Sequence, residues 1–435
     1  MKLNIKMSIE NISSFKNVIS TLKNEKIISA DLFIKNLDFF KIKRILYYII
    51  NNFENKTSII FYDVPYCILP DAEEHIINLP SEKKEKSDEC KKCKFNNFCG
   101  GFPTYANKFL PVSDIPKEIS IELTSKCNLN CNFCFNKIVY KNDYKLDKEY
   151  VFDILDQASE LGIKRARFTG GEPLLYENLN EVMNYAKKMG FSIWLNTNGT
   201  MNYDKINLGS IDSILVPIHH SDNKIESKIT GYEDSLKTKL KAFSLLKQKI
   251  KDVRIGTAIS SQNLNNLEQL YLLSKKLGVR WELYRTIGDE KTDYNKVYEQ
   301  LLDIYSKFDE RNIITNAFPW CFFGINDNDI SKTRLFSLGG FLDDGRDRLV
   351  VSADGRIKPT YYSLDYMKNK KLRDAWNSER MKGIRSLEFL PAKCKKCLYF
   401  PVCKGGSRTL AKNTYGGYYE NDPILSKINA KLPDS

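Results

Sequence analysis

The sequence predicts an α/β protein whose central part is a mostly parallel sheet. From about residue 116, short apolar runs typical of strands alternate with segments of amphipathic helical period. The predicted strands cover residues 118–123, 165–168, 192–196, 213–219, 253–259 and 281–284, and the predicted helices cover residues 148–161, 179–189, 236–248 and 264–276. Repeated β-then-α units favour a parallel sheet with right-handed crossovers. Because a closed barrel of this type has eight units, the pattern predicts a partial, TIM-like (β/α)6 barrel.

The flanking segments predict two further domains in this chain of 435 residues. Residues 1–114 combine helical periodicity with one strand-like run and a cysteine-rich segment, which predicts an N-terminal α+β domain. Residues 115–312 form the predicted barrel, and residues 313–435 form a small C-terminal domain. Within the last domain, residues 348–360 predict a β-hairpin that turns at Asp354-Gly355.

The composition limits the class of protein. The formal net charge is +13, but the lysines are spread along the chain, which favours a solvated basic surface over a nucleic-acid site. Such a surface would attract an acidic electron donor. The start of the chain does not read as a signal peptide, and no uncharged apolar run is long enough to cross a bilayer. We therefore expect a soluble, cytoplasmic protein with no membrane partner, whose 11 cysteines are reduced.

Three cysteines form a compact motif directly after the first predicted strand. Cys127, Cys131 and Cys134 have the spacing C-x3-C-x2-C. Three thiolates can hold three irons of a [4Fe–4S] cluster and leave the fourth iron open to another ligand. A zinc site is the first alternative, but no Cys or His nearby supplies the fourth ligand that structural zinc requires. Buried inert thiols are the second, and an Asn-rich loop is a poor place for them.

With the aromatic Phe133 just before its last cysteine, this motif resembles that of the radical S-adenosylmethionine (SAM) superfamily. The resemblance implies that Cys127, Cys131 and Cys134 are the catalytic cluster ligands. It also implies that the open iron binds the amino and carboxylate groups of SAM, and that reduction of the sulfonium releases a 5′-deoxyadenosyl radical. Since ligand sites lie at the carboxyl ends of the strands in such folds, the cysteine loop stands at the expected edge.

Further candidate SAM-binding residues follow the later strands. Thr169-Gly170-Gly171-Glu172-Pro173 resembles the superfamily's GGE motif, which implies that its backbone and Glu172 bind the methionine ammonium group. Glycines allow close approach, and a carboxylate offers acceptors to a cation. Asn196 and Asn198 offer polar groups for the ribose. The other candidates are His220, near SAM or substrate, and Arg285, for the SAM carboxylate or a substrate anion; a lone histidine is more often structural.

The remaining cysteines suggest auxiliary metal sites. Cys90, Cys93 and Cys99 repeat the spacing of Cys394, Cys397 and Cys403, and a glycine pair follows each set. Cys67 gives the upstream set a fourth thiolate.

The downstream set resembles the SPASM/twitch extension, which implies one or two auxiliary [4Fe–4S] clusters. Thr360 and Ser407 stand where that family has cysteines, so the fourth ligand is predicted among Asp422, which is preferred, Ser426, Cys321 and solvent. Zinc is the alternative metal for each set.

These observations predict an enzyme that abstracts hydrogen from its substrate, in the oxidation or cross-linking of a peptide or protein. The expected partners are a flavodoxin- or ferredoxin-type electron donor and a peptide or small-molecule substrate. The alternatives are a dehydrogenase or epimerase acting on a sugar or cofactor precursor, and an RNA-modifying radical SAM enzyme. A binding protein built on zinc knuckles is the non-enzymatic alternative.

Overall fold

The computed structural model describes the central part of the chain continuously and the two flanks in pieces. The described residues are 3–24, 27–34, 39–53, 57–62, 64–65, 66–69, 72, 75–77, 84–86, 88–96, 99–103, 114–286, 291–308, 313–315, 318–319, 322, 336–337, 347–361, 363–364, 366–367, 371–387, 390, 394, 405–417 and 420–426. Cys321, Cys397 and Cys403, which were predicted as possible ligands or core thiols, lie outside them.

The N-terminal part contains its own parallel sheet. Its strands are β1 (Leu3–Ile9), β2 (Ile27–Ile34), β3 (Ser58–Tyr62) and β4 (Ile76–Ile77), hydrogen-bonded in that order. Two helices connect them, α1 (Ile12–Leu22) and α2 (Phe39–Phe53). The sequence predicted β3 and both helical segments but not β1 or β2. The alternation of apolar residues along β1 was a strand signal, and the helical period directly after it concealed that signal.

A ten-stranded sheet forms the main body of the molecule. Its strand order is β14-β13-β12-β11-β10-β9-β8-β7-β15-β16, and all neighbours are parallel except β15 and β16. The strands are β7 (Glu118–Thr124), β8 (Arg165–Gly170), β9 (Ser192–Asn196), β10 (Ser213–Pro217), β11 (Asp252–Ile259), β12 (Arg280–Arg285), β13 (Ile313–Thr315), β14 (Phe336–Ser337), β15 (Arg348–Val351) and β16 (Ile357–Lys358). A separate hairpin pairs β5 (Lys84–Glu85) with β6 (Phe102–Pro103). The predicted α/β class and all six predicted barrel strands are confirmed.

Helices link the parallel strands and cover the outer face of the sheet. They are α3 (Asn136–Val139), α4 (Lys148–Glu160), α5 (Leu179–Lys188), α6 (Asn223–Thr230), α7 (Ser235–Lys249), α8 (Leu267–Leu277), α9 (Tyr294–Phe308), α10 (Leu372–Trp376), α11 (Glu379–Ser386) and α12 (Arg408–Tyr415). Side-chain caps define the first residues of two helices. The Asp147 carboxylate accepts hydrogen bonds from two backbone N–H groups of α4, and the Asp222 carboxylate does the same for α6. Among the described residues, no helix is long and apolar enough to cross a membrane.

Strands from the last part of the chain extend the sheet at both edges. β13 and β14 continue it beyond β12, while β15 pairs with β7 on the other side. The predicted hairpin is present as β15 and β16. A boundary after residue 312 therefore cuts through one sheet, because backbone hydrogen bonds join residues on both sides of it.

The inner face of the sheet is unusually polar at the amino ends of the strands. Along β7, residues 119, 121 and 123 belong to the core beneath the helices, whereas Glu118 and Ser120 alternate with them on the other face. The Glu118 carboxylate pairs with Arg167 Nε at 2.8 Å and with Arg348 Nε at 2.7 Å. Although burial alone would raise it, these guanidinium groups hold the pKa of Glu118 well below its usual range. Paired charges therefore fill the amino ends of the strands, which leaves the carboxyl ends of the strands for a binding site.

Candidate functional site

The loop that carries the three central cysteines leaves the carboxyl end of β7 and docks on the turn after β8. Gly171 N donates to Thr124 O at 2.6 Å, and Glu172 N donates to Lys126 O at 2.7 Å. A Cβ atom on Gly170 would lie 2.3 Å from Thr124 O, and one on Gly171 would lie 2.1 Å from Lys126 O. The glycine pair was predicted to give room to a ligand. In the structure that room is taken by the backbone of the cysteine loop itself.

A second element holds the same loop from the opposite side. Asn130 N donates to Thr230 O at 2.8 Å, and Asn132 N donates to Ile229 O at 3.2 Å. Gly231, with φ of 66°, ends α6, and a Cβ there would lie 3.0 Å from Asn130 Cβ. Backbone contacts therefore hold both flanks of the cysteine loop.

The three thiols differ in exposure and in their hydrogen bonds. Cys127 is exposed, and Cys131 and Cys134 are half-buried. Cys127 Sγ accepts from Leu129 N at 3.4 Å and from Asn198 Nδ2 at 3.7 Å. Burial raises the pKa of the Cys127 thiol and raises that of Cys131 to about 12. A bound metal centre deprotonates its thiol ligands outright.

The donor set fits an iron–sulfur cluster. Three cysteines on one partly exposed loop supply the thiolates that such clusters require. Within the described residues, no three His, Cys, Asp or Glu side chains are gathered tightly enough for one metal ion.

Glu172 is enclosed by protein groups. Its side chain is 0% exposed, and its carboxylate accepts from Thr197 Oγ1 at 2.7 Å, Asn198 N at 2.7 Å and Leu174 N at 3.0 Å. Burial raises its pKa to about 7, although these hydrogen bonds act in the opposite direction. This arrangement differs from the predicted contact with the SAM ammonium group. Here the carboxylate joins the turn after β8 to the turn after β9.

Asn198 lies in a polar network beside the first cysteine. Its Nδ2 donates to Asn128 Oδ1 at 2.7 Å, and its Oδ1 accepts from Thr200 N at 2.9 Å. Asn128 Nδ2 in turn donates to Thr200 Oγ1 at 2.9 Å. Asn196, the other residue predicted for the ribose, accepts from Arg167 Nη1 at 3.2 Å. Of the two asparagines, only Asn198 touches a cysteine of the loop among the contacts described.

The two histidines after β10 are held as neutral rings. His219 Nδ1 accepts from Ala258 N at 3.2 Å, and His220 Nδ1 accepts from Asp222 N at 2.9 Å. Burial lowers the pKa of His219 to about 4 and also lowers that of His220. The ring of His219 meets the ring of Phe133 edge-on, with centroids 4.7 Å apart. The aromatic residue of the motif is therefore positioned by a strand-end histidine.

A buried ion pair that the sequence did not predict supports this region. Lys239 Nζ lies 2.6 Å from Glu226 Oε1, and both side chains are 0% exposed. Glu226 Oε2 also accepts the backbone N–H groups of His219 and His220. Glu226 and Lys239 are 13 residues apart and lie on different helices, so no periodic pattern in the sequence predicts that they pair.

A second network, which the sequence did not predict, joins β7 to the C-terminal hairpin of β15 and β16. Lys358 Nζ lies 3.3 Å from both carboxylate oxygens of Glu122, and Tyr140 OH donates to the same carboxylate. The Tyr140 oxygen accepts from Ala353 N at 3.1 Å. Because Tyr140 follows the cysteine loop, the hairpin is tied directly to the site.

Arg285 and Asp422, which were both predicted as ligands, face each other in the structure. Arg285 was predicted to bind the SAM carboxylate or a substrate anion, and Asp422 to complete an auxiliary cluster. The two residues instead bind each other through two hydrogen bonds, of 2.6 and 2.9 Å. The Asp422 oxygens also accept from Ser407 N at 2.7 Å and Ile424 N at 3.0 Å. A buried carboxylate with four donors has no remaining face for iron.

The other predicted residues can be placed as follows. Pro173 follows Glu172, begins a short 3-10 helix and is buried. The Cys67, Cys90, Cys93 and Cys99 thiols lie in the N-terminal part, and Cys394 is half-buried in the C-terminal part.

Comparison with known proteins agrees with this geometry. Residues 121–273 match the Radical SAM superfamily. The AdoMet-dependent heme synthase of Methanosarcina barkeri is 25% identical over 343 residues, which are 72% of this chain and 97% of that protein. The PqqA peptide cyclase of Xanthomonas oryzae pv. oryzae is 23% identical over 340 residues, which are 72% of this chain and 89% of that protein.

Solved structures show the same fold. Streptococcus suis SuiB bound to its precursor peptide SuiA aligns with a TM-score of 0.58 and 18% identity, over 73% of this chain and 77% of SuiB. The enzyme anSMEcpe with bound AdoMet aligns with a TM-score of 0.54 and 19% identity, over 70% and 93% of the two chains. The chain therefore carries a radical SAM domain, as its motif predicted. That family uses a [4Fe–4S] cluster together with SAM.

Proposed function

We propose that this protein is a radical SAM oxidoreductase that matures a peptide or protein substrate. The observation that carries the proposal is the C-x3-C-x2-C loop, held at the carboxyl end of β7 by backbone contacts from the turn after β8 and from the end of α6. When bound, the cluster and SAM supply a 5′-deoxyadenosyl radical that abstracts a hydrogen atom from the substrate. The protein itself would hold the cluster and SAM, orient the substrate and exclude water from the site.

Each group of residues has a distinct part in that task. Cys127, Cys131 and Cys134 are the proposed cluster ligands, and Gly170 and Gly171 let their loop lie against β8. Glu172 fixes the turn to which Asn198 belongs, so that the Asn198 amide can point at Cys127 Sγ. Backbone groups of residues 170–173, rather than the Glu172 carboxylate, are the proposed contacts for the ammonium group of SAM.

Similarity to peptide-modifying proteins supports a peptide substrate. SuiB was solved with its precursor peptide, and the PqqA peptide cyclase aligns with nearly three-quarters of this chain. The fold is also compatible with this proposal. The C-terminal hairpin of β15 and β16 pairs with β7 at the edge of the sheet, next to the segment proposed as a SPASM/twitch-like domain. We propose that this domain holds one auxiliary cluster on Cys394, Cys397 and Cys403. Its fourth ligand is a group other than Asp422.

A small-molecule substrate is the second candidate. It is favoured by the similarity to AdoMet-dependent heme synthase, which extends over 97% of that protein. In both cases the proposed electron source is a cytoplasmic flavodoxin or ferredoxin. The basic surface of the chain would speed its docking.

Mass spectrometry of a candidate substrate tests the proposal. The best probe is a short precursor peptide encoded beside this protein's gene, incubated anaerobically with the protein, SAM and dithionite. A peptide product lighter by hydrogen, formed with consumption of SAM, is expected. The Lys126→Ala variant is the matched control, because this exposed side chain lies in the same loop and pairs only with Asp143 among its described ion pairs. A methylated peptide would contradict the proposed reaction class, and an unchanged peptide alongside an oxidised small molecule would favour the second candidate.

A further inference from the structure

The N-terminal part of the chain contains four cysteines that the proposed reaction does not use. We propose that Cys67, Cys90, Cys93 and Cys99 form a separate four-thiolate iron–sulfur centre. This centre would lie at the amino ends of the barrel strands, opposite the SAM site. The inference goes beyond the proposed function, which assigns no role to these four thiols.

Two segments that are distant in sequence meet at these cysteines. Cys67 lies in a short 3-10 helix, Tyr66–Ile68, and Cys90 lies in another, Asp88–Lys92. The ring of Tyr66 packs against that of Phe95, with centroids 5.3 Å apart. The thiols Cys67, Cys93 and Cys99 pack against the same N-terminal core. The fold thus brings the isolated cysteine to the C-x2-C-x5-C set, as a common ligand set requires.

Backbone hydrogen bonds order the segment that carries these cysteines and reach one of the sulfur atoms. Cys93 N donates to Cys90 O at 3.0 Å, which closes a turn between the first two cysteines of the set. Cys99 Sγ accepts from Gly101 N at 3.4 Å and also from the backbone N–H of Tyr66. N–H groups directed at cysteine sulfur stabilise ligating thiolates and tune the potential of iron–sulfur clusters.

The chemistry of the set fits an iron–sulfur cluster. Four thiolates are the complete ligand set of a [4Fe–4S] cluster, whereas the SAM cluster needs one iron left open. Zinc accepts the same ligands. The iron and zinc contents of the protein therefore decide between the two metals.

A contact with the barrel fixes the position of the centre. Lys94, the neighbour of Cys93, places its Nζ 3.4 Å from Asp347 Oδ1, and both side chains are largely buried. Asp347 O accepts from Lys117 N at 2.7 Å and from Glu118 N at 3.2 Å, at the first residue of β7. The SAM loop leaves the other end of that strand. At about 3.3 Å per residue, the length of β7 alone separates the two places by roughly 20 Å.

This separation makes the centre independent of SAM cleavage, and metal analysis can test it. In the anaerobically reconstituted full chain, the Cys90→Ala/Cys93→Ala variant should lose about four irons and four sulfides. It should still form 5′-deoxyadenosine with dithionite. The matched control is Lys91→Ala/Lys92→Ala, since these two exposed lysines lie in the same short helix and carry no thiol. It should keep all its iron.

A complementary variant covers the case in which the first one does not fold. Substituting alanine for Cys127, Cys131, Cys134, Cys394 and Cys397 together leaves only the N-terminal set intact. This variant should retain about four irons, with the absorption and Mössbauer spectra of a [4Fe–4S] cluster. Stoichiometric zinc or no metal in it would overturn the inference. Loss of SAM cleavage from Cys90→Ala/Cys93→Ala, in protein that keeps its other iron, would overturn the separateness of the two centres.

Discussion

Asp422 and Arg285 form a buried, two-pronged ion pair that fastens the C-terminal segment to the end of β12. The side chains are 0% and 3% exposed, and the contacts measure 2.6 and 2.9 Å. Gly406 belongs to the same unit, because a Cβ there would lie 2.5 Å from Asp422 Oδ2. The pair therefore has a structural role at the junction of the two parts.

Removing one partner of this pair should destabilise the protein without removing iron. Asp422→Ala leaves a buried guanidinium group uncompensated, and such losses cost about 3–5 kcal/mol. A double-mutant cycle in urea, with Asp422→Ala, Arg285→Ala and the double variant, should give a favourable coupling energy between the two side chains. Loss of about four irons from Asp422→Asn, in protein that remains folded, would instead restore Asp422 as a cluster ligand.

Gly171→Ala should disrupt the cysteine loop. The added Cβ would meet Lys126 O at 2.1 Å, so the loop must move away from the turn after β8. We expect loss of the iron held by the loop and of 5′-deoxyadenosine formation. Gly383→Ala is the matched control, because nothing lies within 4 Å of its new Cβ, and an alanine in α11 should be neutral or stabilising by up to about 1 kcal/mol. Full cleavage activity in Gly171→Ala would contradict the proposed docking.

Asn198→Ala should change the reduction potential of the SAM cluster. The substitution removes the amide that donates to Cys127 Sγ at 3.7 Å. Hydrogen bonds to ligating sulfur favour the reduced state, so the potential should become more negative. An anaerobic redox titration followed by electron paramagnetic resonance measures the shift. Asn202→Ala, at an exposed asparagine in the following turn, should leave the potential unchanged. An unshifted potential in Asn198→Ala would place this amide outside the cluster's environment.

His219 should make stability fall as the pH is lowered below 6.5. Burial lowers the pKa of this imidazole from 6.5 to about 4, so the unfolded chain binds the proton more readily than the folded protein. The stabilising contribution is complete above pH 6.5 and is lost as the pH falls toward 4, by about 2 kcal/mol between pH 7.5 and pH 5. His219→Asn keeps an acceptor for Ala258 N and should remove this part of the pH dependence. Equal slopes of unfolding free energy against pH in both proteins would contradict the assignment.

The sequence predicted the barrel well because its signals are local. Each of the six strands reads as a short apolar run between amphipathic helices, and the cysteine and glycine motifs fall at strand ends. Parallel packing then brings those ends together, since every carboxyl end lies at one edge. Residues such as Gly170 and Cys127, which their motifs had singled out, fall at this edge.

The roles of individual side chains were harder to predict because they depend on long-range partners. Glu172 is enclosed by Thr197 and Asn198, about 25 residues later in the chain. Arg285 meets Asp422 across 137 residues. A motif shows that a carboxylate or guanidinium is present at a strand end, but only the packed structure shows which group it faces.

Formation of 5′-deoxyadenosine tests the central claim most directly. The anaerobically reconstituted protein, given SAM and dithionite, should release 5′-deoxyadenosine and methionine, which liquid chromatography separates and quantifies. The variant with alanine at Cys127, Cys131 and Cys134 should release neither above background, while the Lys126→Ala control keeps wild-type activity. Undiminished cleavage in the triple variant would show that this loop does not hold the SAM-cleaving cluster.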